Sequence, residues 1–166
     1  KAGGADYAKF QVYDSQKVFG DDSRAHNEFT YDEAERVCEI LRQALAIGDI
    51  EPKDIGIITP YISQVRYITD IIDQNWIEEG LEIRSVDGYQ GREKELILFS
   101  TVRSNEYGEI GFLADRRRLN VALTRPKRGL VVIGNPICLR KNSDWEAWLD
   151  WVDEKSLTAY HLSKNW

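Results

Sequence analysis

The chain has no methionine, four prolines, two cysteines and two histidines in 166 residues. Cys38 and Cys138 lie about a hundred residues apart in apolar surroundings, which excludes both a disulfide framework and a zinc-ligand spacing. Two reduced core thiols are expected instead. His26 and His161 sit one in each terminal region, so no histidine-centred catalytic group is legible, and no metal site is expected. No apolar run approaches the roughly eighteen residues of a membrane span, and nothing at the N-terminus resembles a signal peptide. An intracellular protein, cytoplasmic or nuclear, without membrane contact is expected. A scan for G-x-x-x-x-G-K-[ST] finds nothing, so these residues lack the loop that cradles nucleotide phosphates.

What is present is a charged α/β pattern. The length suits one domain with one core. Residues 1–29 form a loop-rich lead-in with a short β-type run at Phe10-Gln11-Val12-Tyr13. From residue 30 to 166 the pattern predicts an α/β core with a C-terminal helix. Thr30-Tyr31-Asp32-Glu33 reads as a capping box, with the Glu33 carboxylate turned back onto its own helix start. Ala34, Val37, Cys38, Leu41, Ala44 and Leu45 follow at helical spacing, and Gly48 ends the helix. Ile55–Ile58, Leu81–Val86, Leu96–Phe99 and Leu130–Ile133 read as buried strands, and a second helix carries Val65, Ile68 and Ile72 and ends near Trp76. Strands of this kind alternating with amphipathic helices predict a mainly parallel sheet covered on both faces. Trp145, Trp148, Leu149 and Val152, at i, i+3, i+4 and i+7, read as the core face of the last helix.

The net charge of −6 is unevenly spread: ten basic and six acidic residues lie between Arg84 and Arg128, so that segment is +4 and the remainder −10. Within it stand two polar stretches bordering strand-type runs: Val86-Asp87-Gly88-Tyr89-Gln90-Gly91-Arg92-Glu93-Lys94 and Arg117-Arg118-Leu119-Asn120-Val121-Ala122-Leu123-Thr124-Arg125. Ligands of doubly wound sheets bind beyond the carboxyl ends of the strands, and the loops Thr59–Tyr61, Gly88–Glu93 and Arg103–Gly111 are expected to share that edge. On residues alone, Glu93 and Lys94 read as a charged turn, Arg117 and Arg118 as ion-pair partners of Asp115 or Glu109, and Tyr61 as the start of the following helix.

The two stretches resemble motifs V and VI of superfamily-1 helicases, in the up-frameshift-like group that includes the nonsense-mediated-decay helicase, senataxin and the immunoglobulin-mu-binding helicase. The resemblance runs from about Ile55 to Asn135, with Glu33-Ala34 and the last helix as weaker extensions. It implies a RecA-like three-layer domain of the P-loop NTPase superfamily that lacks its own P-loop, the C-terminal one of two. ATP and Mg²⁺ would be held mainly by the absent N-terminal RecA-like domain, and single-stranded RNA or DNA would be the other partner. Lys1-Ala2-Gly3-Gly4 and the stop at Trp166 read as cut ends of a longer protein.

By the same resemblance, Arg125 matches the arginine finger that meets the γ-phosphate as it leaves, a task suited to a planar guanidinium that stays charged. Glu93 matches a motif V glutamate on the nucleotide, Gly91 would let backbone approach the phosphates, and Gln90 and Arg118 are further nucleotide-side candidates. Thr59, Pro60 and Tyr61, with Thr101, Arg103 and Asn105, are the nucleic-acid candidates. Hydroxyls and amides on phosphates would give binding that tolerates any sequence. The implied activity is ATP-driven 5′-to-3′ movement, with the isolated domain inactive. The alternatives are a non-hydrolysing nucleic-acid clamp or regulatory domain of a degenerate relative, and an unrelated small-molecule enzyme, for which no His, Cys or glycine fingerprint is present. Tyr89 stands where phenylalanine is common and Thr30 where asparagine is frequent. Pro126 replaces a usual alanine, which biases Arg125 toward extended backbone.

Overall fold

The computed structural model describes residues 7–13, 31–103 and 108–161. Six strands form one parallel sheet: β1 (Tyr7–Tyr13), β2 (Ile55–Thr59), β3 (Glu82–Ser85), β4 (Lys94–Ser100), β5 (Pro126–Gly134) and β6 (Thr158–His161), in the order β3-β2-β4-β5-β1-β6. Six helices cover it: α1 (Tyr31–Ile47), α2 (Ile62–Ile71), α3 (Gln74–Glu78), α4 (Arg116–Thr124), α5 (Pro136–Leu139) and α6 (Ser143–Glu154).

Alternate side chains of each central strand enter opposite cores, as the two-residue strand period requires. Ile55, Ile57, Leu98 and Ile133 pack with Ala34, Val37 and Leu41 of α1 and Ile68 of α2. Ile58, Ile97, Phe99, Leu130 and Val132 pack on the other face with Leu119 and Ala122 of α4 and Trp145, Leu149 and Val152 of α6. All five residues of β2 are buried, which explains its unbroken apolar run. The expected three layers are therefore present. Cys38 and Cys138 are buried and in no disulfide, one in each core.

Several local features differ from the sequence-based expectation. The helix expected to run to Trp76 breaks at Ile72, whose backbone is extended, and Asp73 restarts it as α3 by accepting the Asn75 N–H at 3.0 Å. Helices α4 and α5 and strand β6 were not expected. Pro126 opens β5, where its missing donor is tolerated. Thr30 lies outside the described residues, and α1 begins at Tyr31. Among the described residues the Glu33 carboxylate caps no N–H of its own helix. It crosses to the end of β4, where its Oε2 accepts from Ser100 Oγ at 2.6 Å and from the Val102 N–H at 2.8 Å.

Candidate functional site at the two edges of the sheet

The candidate residues divide between the two edges. Thr59–Tyr61 follows β2 and Thr101–Arg103 follows β4, so both lie at the carboxyl edge. The segment after β3 starts there too, where Gly88 donates its N–H to Ser85 Oγ at 3.2 Å. It then crosses one face of the sheet and reaches the amino edge, because Lys94 opens β4 and pairs with Pro126 at the start of β5. Gly91 and Glu93 therefore stand at the opposite edge from Thr59–Tyr61. The expectation that three loops share the carboxyl edge fails for Gly91–Glu93. A connection between two parallel strands must return to the amino end, and this one is too short to finish elsewhere.

Tyr89 anchors the crossing. Its ring lies on Gly56 so closely that a Cβ there would stand 1.8 Å from the Tyr89 oxygen. Tyr89 is fully buried, and among the described residues its hydroxyl has no hydrogen-bond partner. Burial, reinforced by the nearby Glu82 charge, pushes that hydroxyl above the usual tyrosine range. Gly91 then turns at φ +77° with open space where a Cβ would point. Gln90, Gly91, Arg92 and Glu93 are exposed.

Lys94, by contrast, is a framework residue. Its ammonium donates to the Lys53 carbonyl and to the Gly80 carbonyl at 3.3 Å, and it lies 3.2 Å from Glu82. Arg84 and Arg92 also contact Glu82, at 3.0 and 2.9 Å. Burial raises the Glu82 carboxyl, but hydrogen bonds from Arg84 and Lys94 and the charges of Lys94 and Arg92 outweigh it and hold the group below the usual range.

Arg125 joins α4 to β5 at this amino edge, and its carbonyl accepts the Lys94 N–H at 3.3 Å. Its backbone is helical, φ −80° and ψ −28°, not extended as Pro126 was expected to make it. The last turn of α4 and the pairing with β4 override the local preference. The side chain is half-buried; Nη2 donates to Thr124 Oγ1 at 3.0 Å, and the buried Nε has no partner among the described residues.

At the carboxyl edge the residues stack. The Arg103 Nε–H donates to the Tyr61 hydroxyl at 2.6 Å, with its guanidinium 4.8 Å from the ring centre. Tyr61 lies 6.2 Å from Phe112, and the Arg118 guanidinium covers Phe112 at 3.7 Å while donating from Nε to Asp87 at 3.3 Å. Arg118 therefore pairs with neither Asp115 nor Glu109 as the simplest reading of the sequence had it; Asp115 caps α4 through the Arg117 N–H. Arg118 stands in the first turn of α4, seven residues before Arg125 and about 10 Å from it along the helix. Asp87 and Phe112 belong to this cluster; Asp87 lies in the motif V stretch without having been a candidate, and nothing in the sequence singled out Phe112.

Thr59, Pro60 and Thr101 lie beneath that surface. All three are buried, and the hydroxyls of Thr59 and Thr101 have no partner among the described residues. In this conformation neither hydroxyl reaches a ligand from outside, which corrects the expectation that they face one. Thr101 packs where Gly134 leaves room, since a Cβ on Gly134 would meet its Oγ1 at 2.1 Å. Asn105 lies outside the described residues.

A parallel sheet in three layers, with motif V crossing one face and motif VI on α4 ending in Arg125, agrees with the family comparison. The description of the AAA domain family matches residues 4–137. The chain belongs to this AAA domain family. Its type is the C-terminal RecA-like region of up-frameshift-like superfamily-1 helicases. It is 49% identical over 109 residues to the DNA polymerase alpha-associated DNA helicase A of Schizosaccharomyces pombe, covering 65% of this chain and 16% of that protein. To the Regulator of nonsense transcripts 1 homolog of Neurospora crassa it is 47% identical over 137 residues, 79% of this chain and 12% of the relative. To the ATP-dependent helicase NAM7 of Saccharomyces cerevisiae it is 46% identical over 123 residues, 71% of this chain and 13% of the relative. The chain thus spans well under a fifth of the length of these relatives. Among solved structures, the C-terminal domain of a possible DNA helicase from Lactobacillus plantarum WCFS1 superimposes with a TM-score of 0.52 at 13% identity, covering 85% of this chain and 84% of the other. That likeness is one of fold. No helix among the described residues is long and apolar enough to cross a membrane.

Proposed function

We propose that this AAA-family domain is the second RecA-like motor domain of an ATP-dependent helicase that moves 5′ to 3′ on single-stranded RNA or DNA. In this reading the amino edge faces the nucleotide and the carboxyl edge faces the strand. The carrying observation is Arg125: a half-buried arginine whose Nε has no partner among the described residues, held between α4 and β5 beside the open Gly91 turn and exposed Glu93.

Bound ATP would supply a γ-phosphate whose departure places negative charge before Arg125. The guanidinium would stabilise that charge, as a finger delivered from a second domain does. Gly91 leaves room for backbone approach, and Glu93 and Gln90 would orient the nucleotide from the same turn; Arg118, held in the carboxyl-edge cluster by Asp87 and Phe112, is the weaker member. ATP and Mg²⁺ would be held mainly by the N-terminal RecA-like domain. At the other edge, roughly 20 Å away along β4, Tyr61 and Arg103 present an aromatic and a cation to the strand. Thr59, Pro60 and Thr101 support them from below.

The test is strand-stimulated ATP hydrolysis by the full-length protein with Arg125→Ala. Turnover is expected to fall by about 10³-fold or more with ATP binding largely kept. Unchanged turnover would refute the finger, and a wild type without stimulated turnover would replace the motor with a passive clamp.

A further inference from the structure

Glu33 is a glutamate with no exposed surface to speak of, 2% accessible, on a helix otherwise built to pack. Among the described residues its carboxylate bonds to neither a cation nor its own helix. Oε2 accepts from Ser100 Oγ at 2.6 Å and from the Val102 N–H at 2.8 Å, and Gln64 of α2 donates to the same Ser100 oxygen at 3.3 Å. Four points therefore meet at the end of β4: α1, α2, the strand terminus and the turn that leaves it.

That turn is strained. Val102 has φ +67°, a region that a β-branched residue rarely enters, and it is buried. Such a conformation persists only where its surroundings over-determine it. Here the surroundings are the Glu33 carboxylate on the Val102 N–H and the Ile133 carbonyl, which accepts the Thr101 N–H at 3.0 Å. The next residue is Arg103, laid across Tyr61.

We propose that Glu33 is a positioning residue for the strand-binding edge: its carboxylate holds the Thr101–Arg103 turn in the conformation that stacks Arg103 on Tyr61 and aims it at a nucleic-acid phosphate. This rests on the reading of the carboxyl edge as the strand track. A buried carboxylate costs stability unless it is bonded, so an apolar or amide residue would pack here with less penalty. The charged acceptor makes the stronger bonds to the turn. The carboxyl is pushed up to about 7, by burial first and by the Asp32 charge, against the bonds from Ser100, Val102 and Thr101. The groups facing it are Gln64 from α2, Ser100 from β4, Thr101 and Val102 from the turn and Asp32 from its own helix, of which only Asp32 carries charge. The hold is accordingly strongest above neutral pH and loosens as pH falls through 7.

The experiment compares full-length wild type, Glu33→Gln and Arg103→Ala for binding of oligo-uridine and oligo-thymidine, over a salt series at pH 6 and pH 8, alongside thermal unfolding. Arg103→Ala is expected to weaken binding and to lower the slope of log affinity against log salt by about 0.7, one phosphate on a single strand. Glu33→Gln at pH 8 is expected to weaken binding roughly tenfold with the same loss of slope, while its melting temperature stays level or rises. Wild-type affinity is expected to fall from pH 8 to pH 6 more than that of Glu33→Gln. If Arg103→Ala weakens binding and Glu33→Gln does not, the positioning role is refuted. If Glu33→Gln loses binding and melting temperature together, Glu33 is structural only and the proposal falls. If Arg103→Ala itself changes nothing, the strand track is misplaced, and that failure is visible without any Glu33 variant.

Discussion

Replacing Glu33 by glutamine should change the pH dependence of folding by an amount the structure sets. The carboxyl lies near 7 in the folded chain against an ordinary value of 4.5. Between those values the folded state keeps a proton that the unfolded chain has released. Unfolding free energy therefore falls as pH rises from about 4.5 to 7 and levels off above 7. At about 1.4 kcal/mol per unit, the full interval is worth roughly 3 kcal/mol. Glutamine does not titrate, and its oxygen can accept from Ser100 and Val102 at the same point. Urea unfolding of the 166-residue chain and of Glu33→Gln at pH 5, 6, 7 and 8 should show the variant gaining on the wild type with each step, by roughly 2 to 3 kcal/mol in all. A difference that stays constant within about 0.5 kcal/mol from pH 5 to 8 would refute the account of Glu33 as a buried acid titrating near neutrality.

Three further substitutions test the framework around the amino edge by the same unfolding measurement. Tyr89→Phe removes a buried hydroxyl without a partner among the described residues, and should stabilise the chain by about 1 kcal/mol. Gly56→Ala drives a methyl into the Tyr89 ring and to 2.8 Å from Ile97 Cδ1, and should cost about 3 kcal/mol, less in a Tyr89→Leu background where the ring is gone. Lys94→Met keeps the buried stem but leaves two carbonyls and Glu82 without their ammonium, and should cost about 2 kcal/mol at pH 7, with part of the loss recovered at acid pH where Glu82 is neutral.

Much of the architecture was readable because it follows from local patterns. The apolar runs at Ile55–Ile58, Leu96–Phe99 and Leu130–Ile133 could only be strands buried on both faces, and they became β2, β4 and β5. The spacing from Trp145 to Val152 gave α6 its core face. Helices α4 and α5 and strand β6 escaped, because their local signals are weak beside those runs. Arg125 shows the limit of local rules: a proline after it argued for extended backbone, and the end of α4 with the pairing to β4 made it helical.

The α/β layering, the family through its two motifs, and the residue types available for phosphate and strand were all legible along the chain. These depend on periodicity and on contiguous residues. Folding in three dimensions is what put Gly91, Glu93 and Arg125 at one edge and Tyr61 and Arg103 at the other, set Thr59 and Thr101 beneath the surface, and made Lys94 part of the framework. It also decided that Glu33 serves a turn 69 residues away. A carboxylate three residues into a helix looks like a cap until the chain closes and brings a strained turn within 2.8 Å of it, a juxtaposition made by packing and written in no local pattern.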